Sequence, residues 1–236
     1  MKIDLVPSVD FIKEDKLIGK SVVVIDMLRA TSVIVTAIKN NCKEVIPVVT
    51  IEEALALKDK NDCLLGGERH AIKIEGFDFS NSPLEYTEDK VAGKIVTMTT
   101  SNGTRAIKGC EKGKTLIMAA MINGEAVAKK LVEIGDDVVI VNAGTEGEFS
   151  IDDFICGGHI INHLCNMENE TELSDIAKTA LFVYKNNDNV EDYIKEARHY
   201  RRIMELGLQD DFIYCCKKDI TNVVPVYKEG KVLKSE

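Results

Sequence analysis

At 236 residues the chain is long enough to bury a sizeable core, as one large α/β unit or as two small intertwined ones. Its 45% hydrophobic and 29% charged residues are the balance of a soluble globular protein, which excludes disordered and membrane classes. A net charge of −9 excludes nucleic acid and anionic membrane as partners, since both are held by excess lysine and arginine. No stretch reaches the ~18 apolar residues of a membrane span, and the first residues lack the basic and apolar regions of a secretory signal. Seven cysteines, an odd count without paired spacing, point to free thiols, so the expected location is the cytoplasm.

In chain order, an apolar run at 22–25 predicts a strand that leads through a polar turn into a helix at 30–40. A strand at 45–48 precedes a helix at 51–60, and a strand at 63–65 precedes a loop at 76–83, where Ser82 and Pro83 suit the start of a helical turn. Strands at 95–98, 116–118 and 138–141 each lead into a helix, at 102–109, 124–134 and 150–164. Residues 167–207 read as helical and charge-rich without a strand, with a solvated loop at 185–192; a last strand at 222–227 returns to the sheet. Strand and helix in alternation predict an α/β fold with a largely parallel sheet. The continuous apolar runs fit strands buried on both faces.

The segment from Gly19-Lys20 through Arg29 and Thr31 to Glu52-Glu53 parallels the one from Gly93-Lys94 through Arg105 to Glu125, which admits a duplication with halves of about 1–90 and 91–236. Any α/β chain repeats strand, turn and helix, so the parallel also admits no duplication.

Chemistry is expected where arginine is found. Up to residue 197 the chain has only Arg29, Arg69 and Arg105, each after a predicted strand and beside Gly, Ser, Thr or Asn. Ligands of α/β sheets bind outside the carboxyl ends of strands, helix N-termini offer N–H groups to anions, and guanidinium grips phosphate or sulfonate bidentately. The three arginines are therefore expected to converge on a small polyanion and not to be replaceable by lysine. Asp26 follows the first of the predicted strands, where a carboxylate can hold a hard cation or act as base or nucleophile. Glu68 and Asp152-Asp153 occupy comparable places, although Ser150 with the Asp pair reads equally as a helix cap. Asn81 and Ser82 can donate to an anion or simply form a turn. Residues 99–104, Thr-Thr-Ser-Asn-Gly-Thr, form a donor-rich junction without the pattern of a nucleotide P-loop, which suggests phosphate without nucleotide. His159 and His163 are four apart but lack the glutamate of HExxH, and read as facing solvent or core. The cysteines, Cys42, Cys110 and Cys156 among them, read as buried inert thiols.

Five segments together resemble the 2-phosphosulfolactate phosphatase family: Asp26-Met27-Leu28-Arg29-Ala30-Thr31-Ser32; Gly67-Glu68-Arg69; Gly76-Phe77-Asp78 with Asn81-Ser82-Pro83; Thr99 to Ala106; and Ala143-Gly144-Thr145 with Ser150-Ile151-Asp152-Asp153. The resemblance implies a three-layer α/β/α fold of two similar intertwined halves. It also implies a Mg²⁺-dependent hydrolase that converts 2-phospho-3-sulfolactate to 3-sulfolactate and phosphate, a step of coenzyme M biosynthesis. On this view Asp26, Arg29, Glu68 and Arg105 are the catalytic candidates. Thr31, Ser32, Arg69, Asn81, Ser82, Ser101, Asn102, Gly103 and Thr104 are the candidates for substrate binding. Asp26 would hold the metal with help from Glu68, Asp152 or Asp153. The partner is a small polyanion, and a homo-oligomer is compatible with all of this.

Overall fold

The apolar runs become strands because alternate residues find apolar partners on opposite faces. In β2 (Ser21–Ile25), Val22 and Val24 join one buried cluster while Val23 and Ile25 join another. The computed structural model describes residues 1–60 and 62–235. Among them the remaining strands are β1 (Lys2–Val6), β3 (Glu44–Pro47), β4 (Cys63–Arg69), β5 (Ile72–Lys73), β6 (Ile95–Thr99), β7 (Thr115–Ala119), β8 (Val138–Asn142), β9 (Glu172–Leu173), β10 (Pro225–Lys228) and β11 (Lys231–Lys234). They form one mixed sheet in the order β5-β4-β6-β3-β11-β10-β7-β2-β8-β1-β9.

Two parallel blocks, β4-β6-β3 and β7-β2-β8-β1-β9, lie on either side of the β10–β11 hairpin. The hairpin is antiparallel within itself and to both flanking strands, so the blocks run in opposite directions. Helices α1 (Ala30–Lys39) and α4 (Gly103–Gly109) carry the crossovers β2-α1-β3 and β6-α4-β7 between the blocks. They share a core with Val22, Val24, Val45, Val96, Met98, Leu116 and Met118. This places the turn after β2 against the turn after β6.

The opposite face is covered by α5 (Gly124–Ile134), α6 (Ile151–Met167) and α7 (Asp175–Lys185), which bury Val23, Ile117 and Ile140 with Leu131, Ile155 and Leu164. Helix α2 (Ile51–Lys60) closes a smaller cluster with Leu65 and Phe77. The short helices α3 (Glu88–Val91), α8 (Val190–Ile194), α9 (Arg198–Glu205) and α10 (Gln209–Cys215) complete the chain. No helix among the described residues is long and apolar enough to cross a membrane.

The predicted strands and helices all form, with ends moved by a few residues. Several details differ, among them the short elements β5 and α3, which the sequence did not announce. Strand β1 forms although Lys2 and Asp4 interrupt its apolar run, because Ile3 and Leu5 share the buried face and the charged residues point the other way. Strand β4 runs on to Arg69, since Gly66 and Gly67 continue the ladder with β6 where the apolar run has ended. The C-terminal strand is a hairpin. Within 167–207, β9 pairs with β1, and Val190–Asp192, expected in a loop, open α8 with Asn189 capping through Asp192 N–H.

Candidate active site

Asp26 stands immediately after β2 and is buried. Its backbone N–H donates to Thr31 Oγ1 at 3.0 Å, and its Oδ1 accepts the Ala30 N–H at 3.1 Å, so the carboxylate caps the turn into α1. The turn after β6 is built the same way: Thr100 N–H donates to Thr104 Oγ1, and Thr104 N–H to Thr100 Oγ1, both at 3.1 Å. Gly103 opens α4 against Asp26. A Cβ there would lie 2.7 Å from Asp26 Oδ2 and 2.5 Å from Ala30 Cβ, so only glycine lets the two turns meet.

Glu68 in β4 is fixed from the other side. It accepts N–H groups of Ala71 and Ser101, each at 2.7 Å, and the Ser101 hydroxyl at 3.2 Å. Asp152 and Asp153, in the first turn of α6, are both buried. Asp153 accepts the N–H groups of Met27 at 2.9 Å and Gly144 at 3.0 Å, which ties the Asp26 turn to the loop after β8. Asp152 accepts the Ser150 hydroxyl and lies with Oδ2 3.3 Å from His199 Nδ1.

These carboxylates stress one another. Burial pushes the Asp26 carboxyl from 3.8 up to about 6, and the charges of Glu68 and Asp152 push the same way, against His199 and the Ala30 N–H. Burial, with Asp152 and Asp26 nearby, drives Asp153 well above the carboxylate range despite its two backbone donors. Burial also acts to raise Asp152, but the hydrogen bond and charge of His199 outweigh it and hold that group low. Burial alone would lower His199, yet Asp152 and Asp26 raise it, so its imidazolium is favoured.

A cavity of about 290 Å³ opens here, bounded by Asp26, Glu68, Ser101 and Asn102 on the strand side and by Arg198, His199 and Arg202 of α9 opposite. Asn81, buried, also borders it, and its Oδ1 has no hydrogen-bond partner among the described residues. Arg29 borders it too, but its guanidinium is held in a buried ion pair with Asp211 of α10 and donates to Ala71 O at 3.2 Å. Ser82 does not reach the cavity; its hydroxyl donates to Asp211 at 2.6 Å.

The three sequence-selected arginines do not converge. Arg69 donates to Glu68 O, Val49 O and Thr99 Oγ1, bracing β4 against its neighbours. Arg105 pairs with Asp10 at 3.0 Å, both half exposed. The reason is local: each guanidinium is engaged by nearby carbonyl, hydroxyl or carboxylate acceptors. The hydroxyls of Thr31, Ser32 and Thr104 are likewise spent inside their turns. Further positive charge at the cavity edge comes from α9, in a stretch the sequence showed as helical and charge-rich: Arg198, paired with Glu148 at 2.9 Å, and Arg202, paired with Glu205 at 3.5 Å and donating to His70 O at 3.3 Å. A signal was present: Arg198, Arg201 and Arg202 cluster where the rest of the chain uses lysine.

The carboxylates also do not form a closed metal cage. Among the described residues only His159, His163 and Asp219 bring three such ligand atoms within 4.8 Å of one another.

An α/β sheet whose strand ends place buried carboxylates opposite arginine and histidine, around a cavity of small-molecule size, defines an enzyme for a small anionic substrate. Comparison with known proteins narrows this. The family model described as 2-phosphosulpholactate phosphatase matches residues 7–230. The chain is 60% identical over 235 residues to a "Probable 2-phosphosulfolactate phosphatase" of Clostridium acetobutylicum, covering 99% of this chain and 100% of that one. Proteins with the same name from Clostridium botulinum (strain Eklund 17B / Type B) and Clostridium tetani are 58% and 59% identical, over 99% and 98% of this chain and 100% and 99% of theirs. The chain therefore belongs to the 2-phosphosulpholactate phosphatase family, a family of phosphoric monoester hydrolases.

Proposed function

We propose that this protein hydrolyses 2-phospho-3-sulfolactate to 3-sulfolactate and phosphate, with Mg²⁺ bound at Asp26 and Glu68, in the manner of coenzyme M biosynthesis. The observation that carries the reading is one cavity with an acidic floor, Asp26 and Glu68, and a basic wall, Arg198, His199 and Arg202. The substrate bears phosphate, carboxylate and sulfonate, and needs both sides.

The residues fit Mg²⁺. That ion is held by one or two carboxylates plus waters and substrate phosphate, so it needs no three-residue cage. Burial first, and the neighbouring carboxylates after it, raise Asp26 and Asp153, so their ionised forms are disfavoured until a cation lies beside them. When bound, the ion neutralises phosphate oxygens as charge develops on them. Asp153 does not border the cavity; bonded to the Met27 and Gly144 N–H groups, it positions the Asp26 turn and is not a required ligand. Asp152 orients His199 through Nδ1, which leaves Nε2 for the cavity. As water adds to phosphorus and the bond to the C2 oxygen breaks, the His199 imidazolium donates the proton that this oxygen needs, and the proton given up by the attacking water restores the imidazolium. Arg198 and Arg202, one helical turn apart, hold the other anionic groups, and the Asn81 amide gives the pocket a neutral polar contact.

All seven cysteines are free thiols, in keeping with a reducing cytoplasm. Release of phosphate from a panel of phosphorylated hydroxy acids tests the substrate. The highest kcat/KM should belong to 2-phosphosulfolactate, and the analogue lacking the sulfonate should be slower by at least about tenfold, the loss of one charge-assisted contact. Equal rates on both would show that the sulfonate is not read.

A further inference from the structure

Away from the cavity, the C-terminal half of α6 carries His159 and His163 on one face, a turn apart. The chain leaving α10 brings Asp219 to that face. His159 Nε2 is 3.1 Å and His163 Nε2 3.2 Å from Asp219 Oδ2, and the rings meet edge to face with centroids 4.6 Å apart. We propose that His159 Nε2, His163 Nε2 and the Asp219 carboxylate form a second metal site, for a divalent transition metal of the zinc type, distinct from the phosphatase cavity.

The spacing supports it. Bonds of about 2.0–2.1 Å in a tetrahedron place ligand atoms about 3.3 Å apart, close to the two histidine–aspartate separations, and all three ligand atoms lie within 4.8 Å of one another, near enough to close on an ion by small side-chain rotations. The outer contacts also match those that orient metal ligands. His159 Nδ1 is 2.9 Å from the Tyr184 hydroxyl, which directs Nε2 to the cluster. Asp219 Oδ1 accepts the Glu125 N–H at 2.7 Å, and the Asp219 backbone N–H donates to Met121 O at 3.1 Å, so both the carboxylate and the backbone that carries it are fixed. At Gly124 a Cβ would sit 2.8 Å from His159 Nε2; a larger residue would press on the ligating edge.

The site is reachable. The His159 side chain is 2% exposed, but those of His163 and Asp219 are each 21% exposed, which leaves one side for ion entry and a water ligand. Two imidazoles and one carboxylate favour Zn²⁺, Co²⁺ or Ni²⁺ over Mg²⁺ or Ca²⁺, which prefer oxygen alone. The nearby Lys218 ammonium sits over the Tyr184 ring at 4.9 Å and opposes the cation, but the carboxylate lies between the imidazoles as direct compensation. A bound ion would clip α6 to the segment that leads into β10.

The test is titration of the metal-free full-length protein with Co²⁺, in excess Mg²⁺ to fill oxygen-ligand sites. One ion per chain should bind, with the visible absorption of nitrogen-ligated Co²⁺, and Zn²⁺ should displace it. His163→Ala and Asp219→Asn should each weaken Co²⁺ binding at least tenfold, while Asp26→Asn leaves it unchanged. Zn²⁺ should also raise the melting temperature of the wild type and not of His163→Ala. If either variant fails to fold, anomalous scattering from wild-type crystals soaked in Zn²⁺ decides. A peak between His159 and His163 upholds the site. Undiminished Co²⁺ binding by folded His163→Ala, no binding by the wild type, or anomalous peaks only elsewhere would overturn it.

Discussion

Asp26 should cost the metal-free protein stability at neutral pH, and Asp26→Asn should recover it. Burial lifts the carboxyl from 3.8 to about 6, so the folded state holds the proton more tightly than the unfolded chain. The sign follows: the contribution is fully present below about pH 4 and is lost as pH rises through about 6. At about 1.4 kcal/mol for each pH unit, the full loss is about 3 kcal/mol, an upper figure because Asp26, Asp152 and Asp153 titrate together. Asparagine keeps the shape and the oxygen that accepts the Ala30 N–H. Urea unfolding in chelator should therefore show Asp26→Asn matching the wild type near about pH 4 and exceeding it by about 1–3 kcal/mol near about pH 7.5. A gain that does not vary with pH, or a loss at neutral pH, would refute the reasoning. Such a gain beside lost activity is expected where a group is held for chemistry.

Gly103→Ala should lose about 1–3 kcal/mol by overpacking, because its Cβ meets Ala30 and Asp26, and kcat should fall with it; urea unfolding and phosphate release check both. Asp211→Ala should lose about 3–5 kcal/mol in the same unfolding assay, because it strands the buried Arg29 guanidinium. Arg202→Lys should lower kcat/KM by about ten- to a hundredfold with little change in melting temperature. Arg105→Lys should leave both near wild type, since its exposed pair with Asp10 is away from the cavity.

The strands and helices were legible because most of them are unbroken apolar runs or helical periods, as in 22–25 and 124–134. The opposed directions of the two blocks were not, since a parallel block looks the same in sequence whichever way its neighbour runs. The acidic side of the site was readable from Asp26 and Glu68 at strand ends. The basic side was not: Arg69 and Arg105 sit in equally polar turns, and nothing in a turn's composition tells whether a guanidinium faces a cavity or the nearest carbonyl. Arg198, His199 and Arg202 reach the strand ends only through the fold, by way of the Arg29–Asp211 pair and the packing of α10 on α1. His159 and His163 announced a shared face, but their partner Asp219 lies 56 residues beyond His163.

The most direct test of the central claim is multiple-turnover release of phosphate from 2-phosphosulfolactate in Mg²⁺, measured for the wild type beside folded Asp26→Asn. Many turnovers per wild-type chain, and a loss of at least about a hundredfold in the variant, are the expected result. Equal release by both proteins would remove Asp26 and its cavity from the reaction, and binding without release by the wild type would make the cavity a receptor for the anion and not the seat of its hydrolysis.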